Sequence, residues 1–169
     1  MTAAVSVRAG VAADAPLLAR LFLAARAAAM PGLREAHDAA QVAGWLATHL
    51  MTQHTVRVAM LADRPVGYIG FGRDGVHGPM ILHLYLDPAA HRRGIGSRLL
   101  AEATAALGPR LSLFCIARNT GARAFYEHHG FRAAAISDGA TTEEGEPDIL
   151  YVRDAGAPDT DTTTSGSTP

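Results

Sequence analysis

The segment from His91 to Arg98 combines glycines and arginines in a pattern suited to binding an anion. It reads His-Arg-Arg-Gly-Ile-Gly-Ser-Arg, and it lies between an apolar, strand-like run ending at Asp87-Pro88 and an alanine-rich helical stretch. A helix N-terminus offers unpaired N–H groups and a partial positive charge, and glycine lets a ligand approach the backbone closely. The segment therefore predicts a phosphate or pyrophosphate site.

Backbone amides are expected to form most of this site. The amides of residues 92–97 would surround the phosphate, with Gly94 and Gly96 leaving room for it. The guanidinium groups of Arg92, Arg93 and Arg98 would add charge-assisted hydrogen bonds and longer-range attraction.

Two common phosphate-binding loops do not match the segment. A Walker-type loop requires a lysine followed by serine or threonine after its second glycine, and no lysine is present here. A dinucleotide fingerprint requires a third glycine, where this chain has Leu99, and an acidic residue about 20 positions further on. No such carboxylate is found near residues 110–114.

Instead, the loop resembles the coenzyme A loop of the GNAT superfamily of acyl-CoA-dependent N-acyltransferases. That family's pattern is Gln/Arg-x-x-Gly-x-Gly/Ala, placed after a strand and opening a helix. Gly94 and Gly96 match it, whereas the first position is His91, with Arg92 beside it. The glycines and the backbone should preserve the amide site despite this departure.

A second segment also resembles the GNAT family. Residues 119–131 read Asn-Thr-Gly-Ala-Arg-Ala-Phe-Tyr-Glu-His-His-Gly-Phe, which is similar to the family signature Asn-x-x-Ala-x-x-Phe-Tyr-Glu-x-x-Gly-Phe. The two motifs have the family's order and spacing and together cover about residues 80–135. The resemblance implies an N-acetyltransferase that uses acetyl-CoA and a primary amine of a small molecule or peptide.

The resemblance also implies where the cofactor would lie. A strand with unpaired edge groups can bind the amides of pantetheine as if they were another strand, and Asn119, a candidate helix N-cap, would contact the same part of the cofactor. The implied cofactor-binding residues are Leu84, Tyr85, Leu86, His91, Arg92, Arg93, Gly94, Ile95, Gly96, Ser97, Arg98 and Asn119.

Tyr126 is the first candidate for catalysis. Acyl transfer releases a thiolate, which needs a proton or a hydrogen bond, and a phenol can supply either. The resemblance places Tyr126 at the thioester sulfur, whereas the alternative is an aromatic residue that packs beside Phe125. We expect catalysis by direct attack of the amine.

The base that takes the proton of the attacking ammonium is less well defined. His83 is the first candidate, because its strand leads into the loop and an unperturbed histidine has a pKa near 6.5. Glu35, His37, Glu143 and Glu144 are alternatives in loops that could line the acceptor site.

Loops over residues 29–33 and 138–148 would border the acceptor pocket and set its specificity. Their acidic residues favour a cationic acceptor, but the sequence does not identify the amine. A non-catalytic acyl-CoA-binding module and a nucleotide-binding regulator are the competing functions.

Length and composition indicate one domain, residues 1–154, followed by a disordered tail over residues 155–169. A net charge of −1 argues against nucleic acid as a partner. No apolar run is long enough to span a membrane, and no signal peptide is evident, so a cytoplasmic protein is expected. Cys115 fits a buried strand, and the adjacent His128 and His129 cannot share an ion, so no metal site is predicted.

Alternating strand and helix patterns predict an α/β fold. Strands are expected over residues 5–8, 55–61, 65–71, 80–87, 111–116, 131–137 and 149–152. Helices are expected over residues 14–30, 38–51, 94–107 and 119–129. The resemblance implies a GNAT-like mixed, largely antiparallel central sheet with splayed central strands, flanked by helices, and makes a homodimer plausible.

Overall fold

Seven strands form a single sheet in the computed structural model, which describes residues 3–156. The strands are β1 (Val5–Ala9), β2 (Thr55–Leu61), β3 (Arg64–Asp74), β4 (Gly78–Leu86), β5 (Leu111–Ile116), β6 (Arg132–Ile136) and β7 (Asp148–Arg153). Their order in the sheet is β1-β2-β3-β4-β5-β7-β6. All neighbours are antiparallel except β4 and β5, which are parallel.

Helices cover both faces of the sheet. They are α1 (Ala15–Ala29), α2 (Ala39–Trp45), α3 (Met51–Gln53), α4 (Ile95–Leu107) and α5 (Thr120–His128). A π-helical turn, Leu46–Leu50, joins α2 to α3. Helix α1 and the segment from α2 to α3 pack on one face around Leu18 and Tyr68, whereas α4 and α5 pack on the other around Leu99 and Tyr151.

The sheet opens between its two central strands. Strands β4 and β5 pair only at Met80 and Ser112, although each remains fully paired with its outer neighbour. From Ile81 to Leu86 one edge of β4 therefore has no strand beside it. The predicted mixed α/β sheet with splayed central strands and flanking helices is confirmed.

A β-bulge lies on β4 where the sheet begins to open. Gly70 of β3 pairs with His83, but the next residue of β3, Phe71, pairs with Ile81, which leaves Leu82 as the extra residue. Gly70 also lets the π-helical turn approach the sheet, because a Cβ at this position would lie 2.8 Å from the Leu50 side chain. The bulge redirects the side chains of β4 at the start of the opening.

The helix expected over residues 38–51 is present but is not a regular α-helix. Asp38 caps it by accepting a hydrogen bond from the Gln41 backbone N–H at 2.8 Å, and the π-helical turn interrupts it before its last turn. A π-turn inserts one extra residue, which no hydrophobic spacing in the sequence indicates. Most of the predicted tail, residues 157–169, lies outside the described residues.

No helix within residues 3–156 combines the length and the apolar composition needed to cross a membrane.

Leu99 on α4 offers a test of the packing between α4 and the sheet. Its side chain is fully buried, so Leu99→Ala should lower the free energy of unfolding by about 3 kcal/mol because it leaves a cavity. Leu17→Ala removes the same atoms from a side chain that is 42% exposed. This control should change the free energy of unfolding by less than about 1 kcal/mol. Urea unfolding of both variants measures the difference, and equal losses would contradict this packing.

Candidate active site

Two adjoining cavities occupy the opening of the sheet. The smaller one, about 140 Å³, lies between β4 and β5, and we call it the strand cleft. The larger one, about 620 Å³, lies against residues 88–97, α1 and α5, and we call it the loop cavity. The residues that line both are Arg26, Leu84, Tyr85, Asn119, Ala122 and Tyr126. The two cavities therefore adjoin, and a long ligand could occupy both.

A sharply turned backbone forms one end of the loop cavity. Arg92 and Gly94 both have a left-handed conformation, with φ of 64° and 70°, and α4 begins directly afterwards at Ile95. Turns of this kind present backbone N–H groups in a concave arrangement that suits an anion. The N-terminus of α4 adds its partial positive charge.

Most of the predicted loop residues line the loop cavity, but two arginines do not. His91, Arg92, Gly94, Ile95, Gly96 and Ser97 line it. Arg93 does not line it, and the Arg98 guanidinium donates a hydrogen bond to the carbonyl oxygen of Val5 in β1. In this structure, the Arg98 side chain joins α4 to the edge strand of the sheet.

Gly96, which lines the loop cavity, also has a packing role. A Cβ at this position would lie 3.1 Å from the Phe125 ring, which is a tight contact for a Cβ. Glycine thus allows the first turn of α4 to pack against α5. In the same region, the Ser97 hydroxyl lies 3.0 Å from His129 Nε2.

The unpaired edge of β4 forms the wall of both cavities. Leu84 and Tyr85 line both, and Leu86 lines the loop cavity. On the opposite wall, Asn119 caps α5 by accepting a hydrogen bond from the Ala122 N–H at 3.1 Å. The structure therefore brings these four predicted residues together around one space.

Tyr126 lies at the junction of the two cavities. Its side chain is only 7% exposed, and within residues 3–156 its hydroxyl has no hydrogen-bond partner. Burial, followed by the nearby Cys115 thiol, raises the pKa of Tyr126. The phenol is therefore neutral, and its O–H is available as a hydrogen-bond donor within the cavities.

His83 lines neither cavity. Its Nδ1 lies 2.9 Å from the Tyr68 hydroxyl, and its ring stacks with Phe22 and Trp45, at centroid distances of 5.5 and 5.2 Å. Burial, with a smaller effect from Arg26, lowers the pKa of His83 to about 3. A group that holds a proton so weakly is a poor base at neutral pH. These surroundings therefore do not favour the predicted role of His83 as the base for the acceptor ammonium.

Arg26 is a charged residue of the site that was not predicted from the sequence. It is 6% exposed, and its guanidinium lies 2.9 Å from Glu35 and 2.6 Å from Glu144. Burial opposes its charge, but Tyr85 and Glu35 outweigh that effect and raise the pKa of Arg26. Arg26 follows Phe22 by four residues and therefore lies on the same, inward-facing side of α1. A cation among apolar residues at this helical spacing is the sequence pattern that could have identified it.

The remaining ionisable residues near the opening differ in their exposure and in their contacts. Glu143 is 71% exposed and lies 3.5 Å from His37, and neither residue lines the strand cleft or the loop cavity. Asp148 lines the strand cleft, where its Oδ1 accepts a hydrogen bond from the Ser137 hydroxyl at 2.6 Å. Cys115 also lines the cleft, and burial raises the pKa of its thiol to about 11. That thiol is therefore protonated at neutral pH.

Comparison with known proteins agrees with this geometry. The acetyltransferase (GNAT) domain matches residues 52–133. A GNAT-family acetyltransferase from Desulfovibrio desulfuricans is 25% identical, with a TM-score of 0.70 over 88% of this chain and 98% of that one. The chain thus contains a GNAT acetyltransferase domain. The predicted enzyme class, an acyl-CoA-dependent N-acetyltransferase, is confirmed.

More distant GNAT structures share the fold of this acetyltransferase. The PaiA N-acetyltransferase of Thermoplasma acidophilum, in complex with coenzyme A, is 16% identical and has a TM-score of 0.67 over 89% of this chain and 98% of that one. YncA of Salmonella typhimurium, with its cofactor acetyl-CoA, is 17% identical and has a TM-score of 0.64 over 93% of this chain and 99% of that one. No curated protein sequence is significantly similar to the chain.

Arg26 should contribute measurably to the stability of this GNAT acetyltransferase. Arg26→Gln removes the cation between Glu35 and Glu144, so we expect the free energy of unfolding to fall by about 2–3 kcal/mol. Arg20→Gln, an exposed position of the same helix, is the matched control and should change it by less than about 0.5 kcal/mol. Urea unfolding measures both variants, and an Arg26→Gln protein as stable as the control would show that the buried cation is not required.

Proposed function

We propose that the protein transfers an acetyl group from acetyl-CoA to a primary amine of a small molecule or peptide. The observation that carries this proposal is the neutral, unpartnered Tyr126 phenol at the junction of the two cavities. A proton donor at that point is what a thiolate leaving group needs. Family membership supplies the reaction class, and the phenol supplies a group able to assist it.

The loop cavity fits the phosphate end of acetyl-CoA. The left-handed turn at residues 92 and 94 and the first turn of α4 present N–H groups for the pyrophosphate. The free edge of β4 beside Leu84, Tyr85 and Leu86 can pair with the amides of pantetheine. Structures of the relatives from Thermoplasma and Salmonella, which hold coenzyme A and acetyl-CoA, support the same ligand here.

The strand cleft is then the space for the thioester and the attacking amine. With pantetheine along β4, the thioester would reach the cleft beside Tyr126, and Asn119 would lie against pantetheine from the other wall. The amine nitrogen attacks the carbonyl carbon directly, and the Tyr126 phenol protonates the departing sulfur. The homodimer and the cytoplasmic location stay predictions from the sequence.

Acetyl-CoA should stabilise the folded protein. At a free concentration about 100 times the Kd, a ligand that binds only the folded state contributes about 2.7 kcal/mol, which corresponds to a rise in Tm of roughly 5–10 °C. Thermal unfolding monitored by circular dichroism measures this rise. ATP is the control, since a nucleotide-binding regulator would be stabilised by it. An equal shift with ATP, or no shift with acetyl-CoA, would contradict the proposal.

Tyr126→Phe should separate catalysis from binding. Without its hydroxyl, kcat should fall by about 10²–10⁴-fold, whereas the acetyl-CoA-induced rise in Tm should persist because the ring remains. The assay is thiol release from acetyl-CoA over a panel of amines comprising polyamines, aminoglycosides, amino acids and peptide N-termini. Each reaction is followed as thiol formed per minute.

Tyr68→Phe is the matched control for this substitution. It removes a buried phenol that lies outside both cavities and whose partner is His83, so kcat should change by less than about threefold. If Tyr126→Phe retained full kcat, Tyr126 would not be the proton donor. If no amine gave thiol release with the unmodified protein despite acetyl-CoA binding, the chain would be an acyl-CoA-binding module instead.

A further inference from the structure

We infer that Asp148 is the catalytic residue that binds the ammonium group of the acceptor and takes its proton, an assignment that rests on the proposed acetyl transfer. Asp148 is the first residue of β7, where it pairs with Ile116 at the end of β5. The two central strands pair at the opposite end of β5, at Ser112. Asp148 therefore lies beside the wide end of the opening.

Hydrogen bonds to Ser137 hold the Asp148 carboxylate in place, and no cationic side chain of the described residues is paired with it. The Ser137 hydroxyl donates a hydrogen bond to Oδ1 at 2.6 Å, and the Ser137 backbone N–H donates to the Asp148 carbonyl oxygen at 2.9 Å. Within residues 3–156, no arginine, lysine or histidine forms an ion pair with Asp148. One carboxylate oxygen is thus oriented by Ser137, and the other is available to a substrate.

The other carboxylates around the cleft are already paired with cations. Glu35 and Glu144 both contact the Arg26 guanidinium, and Glu146 lies 3.2 Å from Arg118. A carboxylate that already contacts a guanidinium has a competitor for the ammonium group of a substrate. Asp148 is the carboxylate of the cleft without such a competitor in the described chain.

The remaining basic and acidic groups near the cleft are also unsuited to this role. His83 lies outside both cavities, bonded to Tyr68. Glu127, on α5, accepts a hydrogen bond from Tyr151 at 2.7 Å. The Cys115 thiol already holds its proton at neutral pH, because burial raises its pKa, so it cannot accept another.

A second observation links Asp148 to the reacting end of the site. The Tyr126 phenol lines the same cleft, is more than nine-tenths buried and has no partner among the described residues. Asp148 lines this cleft together with Tyr126. A proton donor and a proton acceptor therefore border one small space, as expected for acid–base catalysis around a single bond.

The proton balance uses both groups. The acceptor ammonium gives one proton to Asp148, and the free amine attacks the thioester carbonyl carbon to form a tetrahedral intermediate. The carbon–sulfur bond then breaks, and Tyr126 gives its proton to the thiolate. The second nitrogen proton returns to Tyr126, and Asp148 releases its proton to solvent. The products are the acetylated amine, coenzyme A with a free thiol, and one proton.

Asp148→Asn tests this assignment, because the amide has the same shape and can still accept a hydrogen bond from Ser137. The acceptor is the amine of the panel that the unmodified protein acetylates fastest. At neutral pH, kcat/KM for that amine should fall at least about 100-fold, while the acetyl-CoA-induced rise in Tm should be unchanged. Asp154→Asn is the matched control: Asp154 contacts Arg132, and both side chains are 64% exposed. It should change kcat/KM by less than about twofold.

The pH profile separates proton transfer from a structural role. Near pH 10 an alkylamine is increasingly neutral without help, so the ratio of kcat/KM between the unmodified protein and Asp148→Asn should fall towards one. A purely structural defect would keep the ratio constant, and that outcome would overturn the inference. If the Tm of Asp148→Asn is well below that of the unmodified protein, Asp148→Ser is measured instead. We expect the same loss of kcat/KM at neutral pH and the same recovery near pH 10.

Failure of the inference can be distinguished from failure of the proposed function. If the unmodified protein acetylates an amine and Asp148→Asn keeps at least half of its kcat/KM at neutral pH, the inference is wrong and acetyl transfer stands. If the unmodified protein acetylates no amine of the panel, the proposed function fails, and this assignment fails with it.

Discussion

The opening between β4 and β5 is the constraint on which the rest of the site depends. Backbone N–H and C=O groups need partners when they are removed from water, yet β4 has no neighbour on one edge from Ile81 to Leu86. Each half of the sheet keeps its own pairing, so the opening does not unravel the fold. It leaves a row of oriented donors and acceptors, and both cavities form along this row. A ligand that contains amides can complete the sheet.

Charge is distributed unevenly around this opening. The loop cavity has helix-terminal N–H groups at one end, where anions are favoured. The strand cleft has carboxylates at its rim, with Arg26 buried between two of them. Because Glu35 follows α1 and Glu144 lies between β6 and β7, this one guanidinium joins two loops that are far apart in the chain. The mouth of the cleft thus has a defined shape, although much of it is built from loops.

Local patterns were sufficient to predict most of the strands and helices and the turn before α4, and the family resemblance added the splayed sheet. Gly94, Gly96 and the residues around Asn119 and Tyr126 lie within continuous segments whose spacing can be read directly. The contacts of Arg26 could not be read in this way, since Glu144 is 118 residues away. Likewise, the Arg98 contact with Val5 spans 93 residues. The surroundings of His83 come from three other elements. Pairings over such distances depend on tertiary packing and leave no local pattern.

The contact of Gly96 with Phe125 has a consequence for ligand length. It fixes the first turn of α4 against α5, and Phe125 directly precedes Tyr126 in the chain. The turn before α4 and the Tyr126 phenol are therefore held at a defined separation by the packing of α4 on α5. In the proposed complex, this separation would favour thioesters whose phosphates and sulfur are the matching distance apart, independently of the group to be transferred.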